Sequence, residues 1–228
     1  DRSLAAEILF YGALLLMVWS GIRYADTQRC KPHGTSIERG TLRGLCWQTK
    51  TSDKGQPWGA NPFGILGRPP SWGWGHHWIE TMKDWLSSLP ERTRGTIDFL
   101  LPDISLTGKD SRGWNTYCIR PTPMKYMKGL AMFRRALCRI NTILEICVAS
   151  TALAAAAYAL HLKVTLLSMA KQIDEDDRHC AEHGHHRIAS GQVSVRLYSR
   201  DDVWGALMLQ HNIIYAFAQG WWPHTPQG

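Results

Sequence analysis

The strongest constraint on the fold is a long apolar segment near the start of the chain. Residues 4–22 are apolar except for short polar interruptions, Glu7 is the charged residue among them, and Arg2 and Arg23 flank them. A membrane-spanning helix needs about 20 predominantly apolar residues, and the interruption at Glu7 favours a helix buried in a protein core instead. We therefore predict a buried helix over residues 3–20 that stops at Gly21. Its predicted inward side carries Leu4, Ile8, Leu15, Val18 and Trp19.

The rest of the chain predicts a mainly α (α+β) domain with one small antiparallel sheet. Glycines punctuate short alternating runs over residues 34–58, which is typical of strands joined by tight turns. Residues 57–75 and 95–123 are rich in Pro and Gly and predict loops. A charged break at residues 174–177 precedes a predicted polar loop. Helices are predicted over residues 22–30, 77–89, 124–139 and 151–158. Two more are predicted to begin at about His161 and at Asp201 or Asp202. In the helix over residues 124–139, the residues expected to face inward are Met127, Leu130, Phe133 and Leu137.

Composition narrows the class of protein. The chain has 228 residues, 44% of them apolar, which suits one globular domain over residues 1–220 with a loose tail over 221–228. Its formal net charge of +7 is compatible with a polyanionic partner, most often a nucleic acid. The six cysteines are scattered without a CxxC pair and predict reduced, mostly buried thiols of an intracellular protein. Because the sequence starts at Asp1, we expect a fragment of a longer protein.

Four short runs contain the residue types that phosphodiester chemistry uses. Residues 20–26 read Ser-Gly-Ile-Arg-Tyr-Ala-Asp, and residues 44–51 read Gly-Leu-Cys-Trp-Gln-Thr-Lys-Thr. Residues 160–167 read Leu-His-Leu-Lys-Val-Thr-Leu-Leu. Near the C-terminus, His-Gly-His at 183–185 precedes Leu-Tyr-Ser-Arg at 197–200. In order and spacing these runs resemble the catalytic domain of tyrosine recombinases, the phage-integrase type, and most of all the divergent recombinase-like proteins of protist genomes, over residues 9–223.

The resemblance implies a role for a residue in each run. Arg23 would be the first phosphate-binding arginine, since its planar fork holds two non-bridging oxygens. Lys50 would protonate the leaving 5′ oxygen, with Lys54 close enough to compete for that role. His185 would donate to a non-bridging oxygen, and Tyr198 would attack the phosphorus to form a 3′-phosphotyrosyl link.

Two features depart from the pattern of the family. Lys163 stands where the second arginine belongs, and His161 is one residue too close to it. A lysine supplies one point charge and lacks bidentate geometry. The interval of 13 residues from His185 to Tyr198 is also slightly long. The chain is therefore expected to be either a site-specific recombinase with Lys163 as a substitute, or a DNA-binding relic of that fold without catalysis.

A third, unrelated hypothesis is a helical protein with a metal site. His179, Cys180, His183, His185 and His186 lie within eight residues, and zinc sites are built from such ligands. No supporting pair at ligand spacing occurs elsewhere in the sequence, so the recombinase hypothesis is preferred.

The recombinase resemblance implies double-stranded DNA as the partner, neither metal nor nucleotide cofactor, and no membrane. Assembly as a homo-oligomer on DNA fits the same family. A nuclear location would follow in a eukaryote, and a cytoplasmic one otherwise. Basic residues outside the catalytic set are expected to neutralise phosphates and to make binding salt-dependent. They are Arg39, Arg43, Lys54, Arg134, Arg135, Arg139 and Arg187.

Overall fold

The apolar segment forms a single helix, α1 (Arg2–Ser20), that runs through the core of the domain. The computed structural model describes residues 2–49, 55–63, 73–111, 113, 115–144, 159–183 and 203–221. Within these ranges the fold is α+β, with helices around α1 and two small antiparallel sheets. The prediction of a buried helix that stops at Gly21 is confirmed, because Gly21 leaves the helix with a φ of 66°. Among the described residues, no helix has the length and apolarity that crossing a bilayer requires.

The buried face of α1 differs in part from the predicted one. Leu9, Ala13 and Leu16 are fully buried at helical spacing, whereas Leu4 is 58% and Leu15 is 36% exposed. Nearly the whole surface of this helix is apolar, so periodicity alone could not identify the inward side. Trp78 packs directly on the backbone of Gly12, because a Cβ on Gly12 would overlap the indole of Trp78.

The predicted sheet is present and consists of β1 (Ser36–Glu38), β2 (Thr41–Cys46) and β3 (Gln56–Ala60) in that order. All neighbouring pairs are antiparallel, and Arg43 of β2 lies opposite Ser36 of β1 and Gly59 of β3. Arg39 and Gly40, both with positive φ, form the tight turn between β1 and β2.

A second sheet corrects the prediction of a loop over residues 95–123. Strands β4 (Pro102–Lys109) and β5 (Asn115–Pro123) form an antiparallel pair. Pro102 is the first residue of β4 and Pro123 is the last of β5, whereas Pro121 lies at the register shift between the pairs Asp103–Arg120 and Pro102–Pro123. Both strands are edges of a two-stranded sheet, where a residue without an N–H is tolerated. Ile104 is buried, and β5 packs on α1.

The predicted helices within the described residues are present with shifted bounds. The helices after α1 are α2 (Tyr24–Thr27), α3 (Trp74–Ser87), α4 (Glu91–Arg94), α5 (Tyr126–Leu144), α6 (Ala159–Gln172), α7 (Asp177–His183) and α8 (Trp204–Ala218), with a 3₁₀ turn at Pro32–Gly34. Of these, α4 and α7 were not predicted.

Three predictions about these helices need correction. Helix α3 begins at Trp74, three residues before the predicted start. Helix α7 occupies the start of the predicted polar loop, with Asp177 in its first turn, where the helix dipole favours a carboxylate. Met127, predicted to face inward from α5, is 69% exposed. The predicted Ala-rich helix at 151–158 lies outside the described residues.

Candidate functional site

Arg23 lies at the corner between α1 and α2. It is half-buried, its backbone is extended, and it is the N-cap residue of α2. The backbone N–H of Arg23 donates to Oδ2 of Asp26 at 3.4 Å. The side chain of Asp26 is buried, so its carboxylate caps the start of α2 from the interior side. Sequence reasoning treated Asp26 only as part of the motif and did not identify this capping role.

The end of α7 packs against the same corner. His183 is fully buried, and its backbone carbonyl lies so close to Gly21 that a Cβ on Gly21 would overlap the oxygen. That Cβ would also be 3.2 Å from Nε2 of His183. Glycine is required here both for its positive φ and for the contact. The last residue of α7 therefore contacts Gly21, which precedes Arg23 by two residues in the sequence.

Strand β2 is joined to α2 by hydrogen bonds near its end. The backbone oxygen of Asp26 accepts from the Sγ of Cys30 at 3.2 Å and from the Sγ of Cys46 at 3.5 Å. The N–H of Trp47 donates to the backbone oxygen of Arg29 at 2.9 Å. The chain that leads to Lys50 thus starts beside the helix that follows Arg23.

Tyr24 is a second tyrosine at this corner, and its environment marks it as structural. Its hydroxyl donates to the backbone oxygen of Met124 at 2.8 Å, and its ring meets that of Tyr126 edge to face. Burial raises the pKa of Tyr24 well above the ordinary value of tyrosine. A hydroxyl that is held protonated and already donates to a carbonyl is poorly suited to act as a nucleophile.

Helix α8, which begins six residues after Tyr198, is fixed to the first sheet by a buried amide. Oε1 of Gln210 accepts the N–H of Asn61 at 2.7 Å, and Nε2 donates to the backbone oxygen of Gly59 at 3.0 Å. Gln210 is fully buried. Both ends of its amide are satisfied by the backbone at the end of β3, which holds the middle of α8 against the first sheet.

The structure describes only some of the predicted catalytic residues. Arg23 lies in the described part of the chain, whereas Tyr198, Lys50 and His185 lie outside the described residues. The backbones of His161 and Lys163 lie in the first turns of α6. Helix α6 packs on α1, and its Leu166 and Ala170 are buried.

The predicted DNA-contacting residues are distributed over two elements and several undescribed segments. Arg43 is exposed on β2, and Arg39 is exposed in the turn before it. On α5, Arg135 is exposed and Arg134 is half-buried, and the backbone of Arg139 continues the same helix. Lys54 and Arg187 lie outside the described residues.

One polar cluster near α7 was not predicted. Nδ1 of His179 is 2.6 Å from Oε1 of Glu175, and Nδ2 of Asn212 donates to Oε2 of the same carboxylate at 2.8 Å. The spacing of four residues between Glu175 and His179 was a usable signal for this pair. His183, by contrast, lies against Gly21. Within the described ranges, no group of three His, Cys, Asp or Glu residues is placed to hold a metal ion.

Comparison with known proteins identifies no relative. No protein-family model, curated protein or solved structure matches this chain. The function must therefore be argued from the order of the motifs and from the contacts at the Arg23 corner.

Proposed function

We propose that this chain breaks and rejoins DNA strands in the manner of a tyrosine recombinase, with Tyr198 as the nucleophile. The observation that carries the proposal is the contact between Gly21 and His183. These residues are distant in sequence. Each belongs to one of two motifs that must lie close together if the proposal is correct. The contact places His183, two residues before His185 in the sequence, at the corner that holds Arg23.

The second supporting observation is the attachment of β2 to α2. Asp26 caps the helix that follows Arg23 and accepts hydrogen bonds from Cys30 and Cys46. The chain leaves Cys46 toward Lys50, so three of the four motifs start from one region of the domain. A phosphodiester site needs such convergence, because its rate enhancement comes from fixed positive charge around the reacting phosphorus.

In the proposed reaction, the guanidinium of Arg23 holds non-bridging oxygens of the scissile phosphate. The hydroxyl of Tyr198 releases its proton to solvent, its oxygen attacks phosphorus, and the bond from phosphorus to the 5′ oxygen breaks. Lys50, or Lys54 in its place, gives a proton to that oxygen, and His185 donates to a non-bridging oxygen. The 3′-phosphotyrosyl ester conserves the energy of the broken bond, so a free 5′ hydroxyl can reverse the step. DNA is the proposed partner, with a nuclear role in recombination or integration in a eukaryote.

A second candidate function is DNA binding without cleavage. The observation that favours it is Lys163 in α6, at the position that the second arginine would occupy. A single ammonium cannot hold two phosphate oxygens in the plane that a guanidinium provides. In this case the fold and its basic surface would remain, while formation of the covalent intermediate would be lost.

The test is capture of the covalent intermediate. The chain is incubated with a pool of random-sequence duplexes that carry a nick, so that the short fragment released by cleavage diffuses away and traps the adduct. We expect a labelled protein–DNA band that survives denaturant and disappears in Tyr198→Phe. Tyr215→Phe, which changes an exposed tyrosine on α8, is the matched control and should retain the band.

The outcomes separate the two functions. An adduct in the unmodified chain and in Tyr215→Phe, but not in Tyr198→Phe, supports the recombinase. Salt-sensitive DNA binding with no adduct in any variant contradicts cleavage and supports the binding relic. An adduct that persists in Tyr198→Phe contradicts the assignment of the nucleophile.

A further inference from the structure

Cys30 and Cys46 face each other across an isolated antiparallel bridge. The flanking hydrogen bond runs from the N–H of Trp47 to the oxygen of Arg29, which identifies the cysteines as a non-hydrogen-bonded pair. In such a pair the Cα atoms are about 4.5 Å apart and the side chains are at their closest. Disulfides form between residues whose Cα atoms are about 4.4 to 6.8 Å apart. The backbone therefore needs no rearrangement to accept a disulfide here.

The side chains are oriented toward one another. Both thiols are reduced and almost completely buried. The two sulfurs approach the same atom, the backbone oxygen of Asp26, at 3.2 Å and 3.5 Å, and the Sγ of Cys46 also lies 2.9 Å from the backbone oxygen of Gln48. Among the other described cysteines, Cys118 is exposed on β5 and Cys180 is half-buried on α7. Cys30 and Cys46 thus form a pair whose position is set by both backbone and side-chain contacts.

The pair is also chemically asymmetric. Contact with the Cys30 thiol lowers the pKa of the Cys46 thiol. Burial, together with the contact with Cys46, raises the pKa of the Cys30 thiol well above its ordinary value. Because the thiolate is the reactive form, Cys46 is the more nucleophilic thiol of the buried pair toward a small oxidant, and Cys30 is the resolving partner.

We propose that Cys30 and Cys46 form a reversible disulfide, closed by a hydroperoxide such as hydrogen peroxide, that locks α2 to the end of β2. The inference does not depend on the proposed function, since it rests on the geometry of the pair alone. Its position gives it a consequence for any site at the Arg23 corner, because α2 starts at that corner and β2 leads toward Lys50.

The chemistry balances with hydrogen peroxide as the oxidant. The Cys46 thiolate attacks one peroxide oxygen, the O–O bond breaks, and a sulfenic acid and hydroxide form. The hydroxide takes the proton of Cys30 to give water. The resulting Cys30 thiolate attacks Sγ of Cys46, the S–O bond breaks, and a second hydroxide leaves. The two sulfurs lose two electrons in total, and the peroxide gains them.

The test is a map of the disulfide in the full chain. The reduced protein is treated with hydrogen peroxide, free thiols are blocked with N-ethylmaleimide, and the unreduced digest is analysed by mass spectrometry. We expect a peptide that links Cys30 to Cys46. The number of free thiols should fall by two from the six cysteines of the chain. Dithiothreitol should restore the original count. Closure of the loop should raise the midpoint of thermal unfolding by roughly 5 °C.

Two variants complete the test. Cys118→Ser is the matched control and should give the same linked peptide as the unmodified chain. Cys30→Ser should give no linked peptide and should accumulate sulfenic or sulfinic acid on Cys46. The proposal is overturned if Cys30 and Cys46 both remain alkylatable after denaturation while Cys118 is oxidised. It is also overturned if Cys46 reaches sulfinic acid in the unmodified chain without forming the link. The wild-type map decides between these outcomes even if Cys30→Ser fails to fold.

Discussion

The carbonyl oxygen of His183 occupies the space that a side chain on Gly21 would need. Gly21 has a φ of 66°, so it also adopts a backbone conformation that L side chains rarely accept. Gly21 therefore ends α1, turns the chain toward Arg23 and contacts the end of α7. This contact holds the end of α7 against the corner between α1 and α2.

We expect Gly21→Ala to lower the free energy of unfolding by about 2 to 4 kcal/mol, since both the strained φ and the overlap with His183 act together. Chemical denaturation measures the change. Gly220→Ala is the matched control, because Gly220 has a φ of 84° but nothing within 4 Å of the added Cβ. Its cost should be about 1 kcal/mol. Equal losses in the two variants would contradict the contact with His183.

Gln210 provides a second test of how the C-terminal helix is held. Gln210→Leu removes both hydrogen bonds and leaves the N–H of Asn61 and the oxygen of Gly59 unsatisfied. We expect a loss of about 3 kcal/mol in the free energy of unfolding. His211→Ala, an exposed neighbour on α8, should change stability by less than about 0.5 kcal/mol. A loss below 1 kcal/mol for Gln210→Leu would show that α8 does not depend on this amide.

Tyr24 predicts a specific pH dependence of stability. Burial raises its pKa in the folded protein, while the unfolded chain has the ordinary value of about 10. Above pH 10 the folded state therefore binds more protons than the unfolded state, and stability falls as pH rises. The contribution is complete below pH 10 and is lost as the pH rises toward the folded-state pKa.

The variant Tyr24→Phe isolates this effect. At pH 8 it should be less stable than the unmodified chain by about 1 kcal/mol, because the hydrogen bond to Met124 is lost. Between pH 10 and 11.5 the difference should shrink, since phenylalanine has no proton to lose. Denaturant titrations at several pH values measure both. Parallel pH profiles for the two proteins would contradict the raised pKa.

The exposed arginines predict the salt dependence of DNA binding. If Arg43 and Arg135 each contact a phosphate, replacement of either by alanine should reduce the slope of log affinity against log salt concentration by about 1. Random-sequence duplex DNA and fluorescence anisotropy provide the measurement. Arg94→Ala, at an exposed arginine of α4 outside the expected contact set, should leave the slope unchanged. Identical slopes in all variants would remove β2 and α5 from the DNA interface.

The secondary-structure elements could be predicted from the sequence better than the contacts between them. Gly21 ended the first helix in both the prediction and the structure, because a positive φ at a helix end is a local property. Strands β4 and β5 were missed, because proline signals a loop until its place at the edge of a sheet is known. Leu4 was assigned to the core because α1 is apolar on nearly all sides. The contact of His183 with Gly21 joins residues far apart in sequence, and no local pattern encodes such a pair.

The variant Lys163→Arg tests whether the chain is a working recombinase or a binding relic. If Lys163 substitutes for the second arginine, Lys163→Arg restores bidentate contact with the phosphate. We expect the rate of adduct formation on nicked duplex DNA to rise at least about tenfold, because donors that stabilise the transition state have effects of this size or larger. Lys171→Arg, an exposed position in the last turn of α6, is the matched control and should leave the rate unchanged. If the chain is a relic, neither variant forms an adduct, and both retain salt-sensitive binding. An adduct that forms equally fast in all three proteins would place the second phosphate-binding cation elsewhere than position 163.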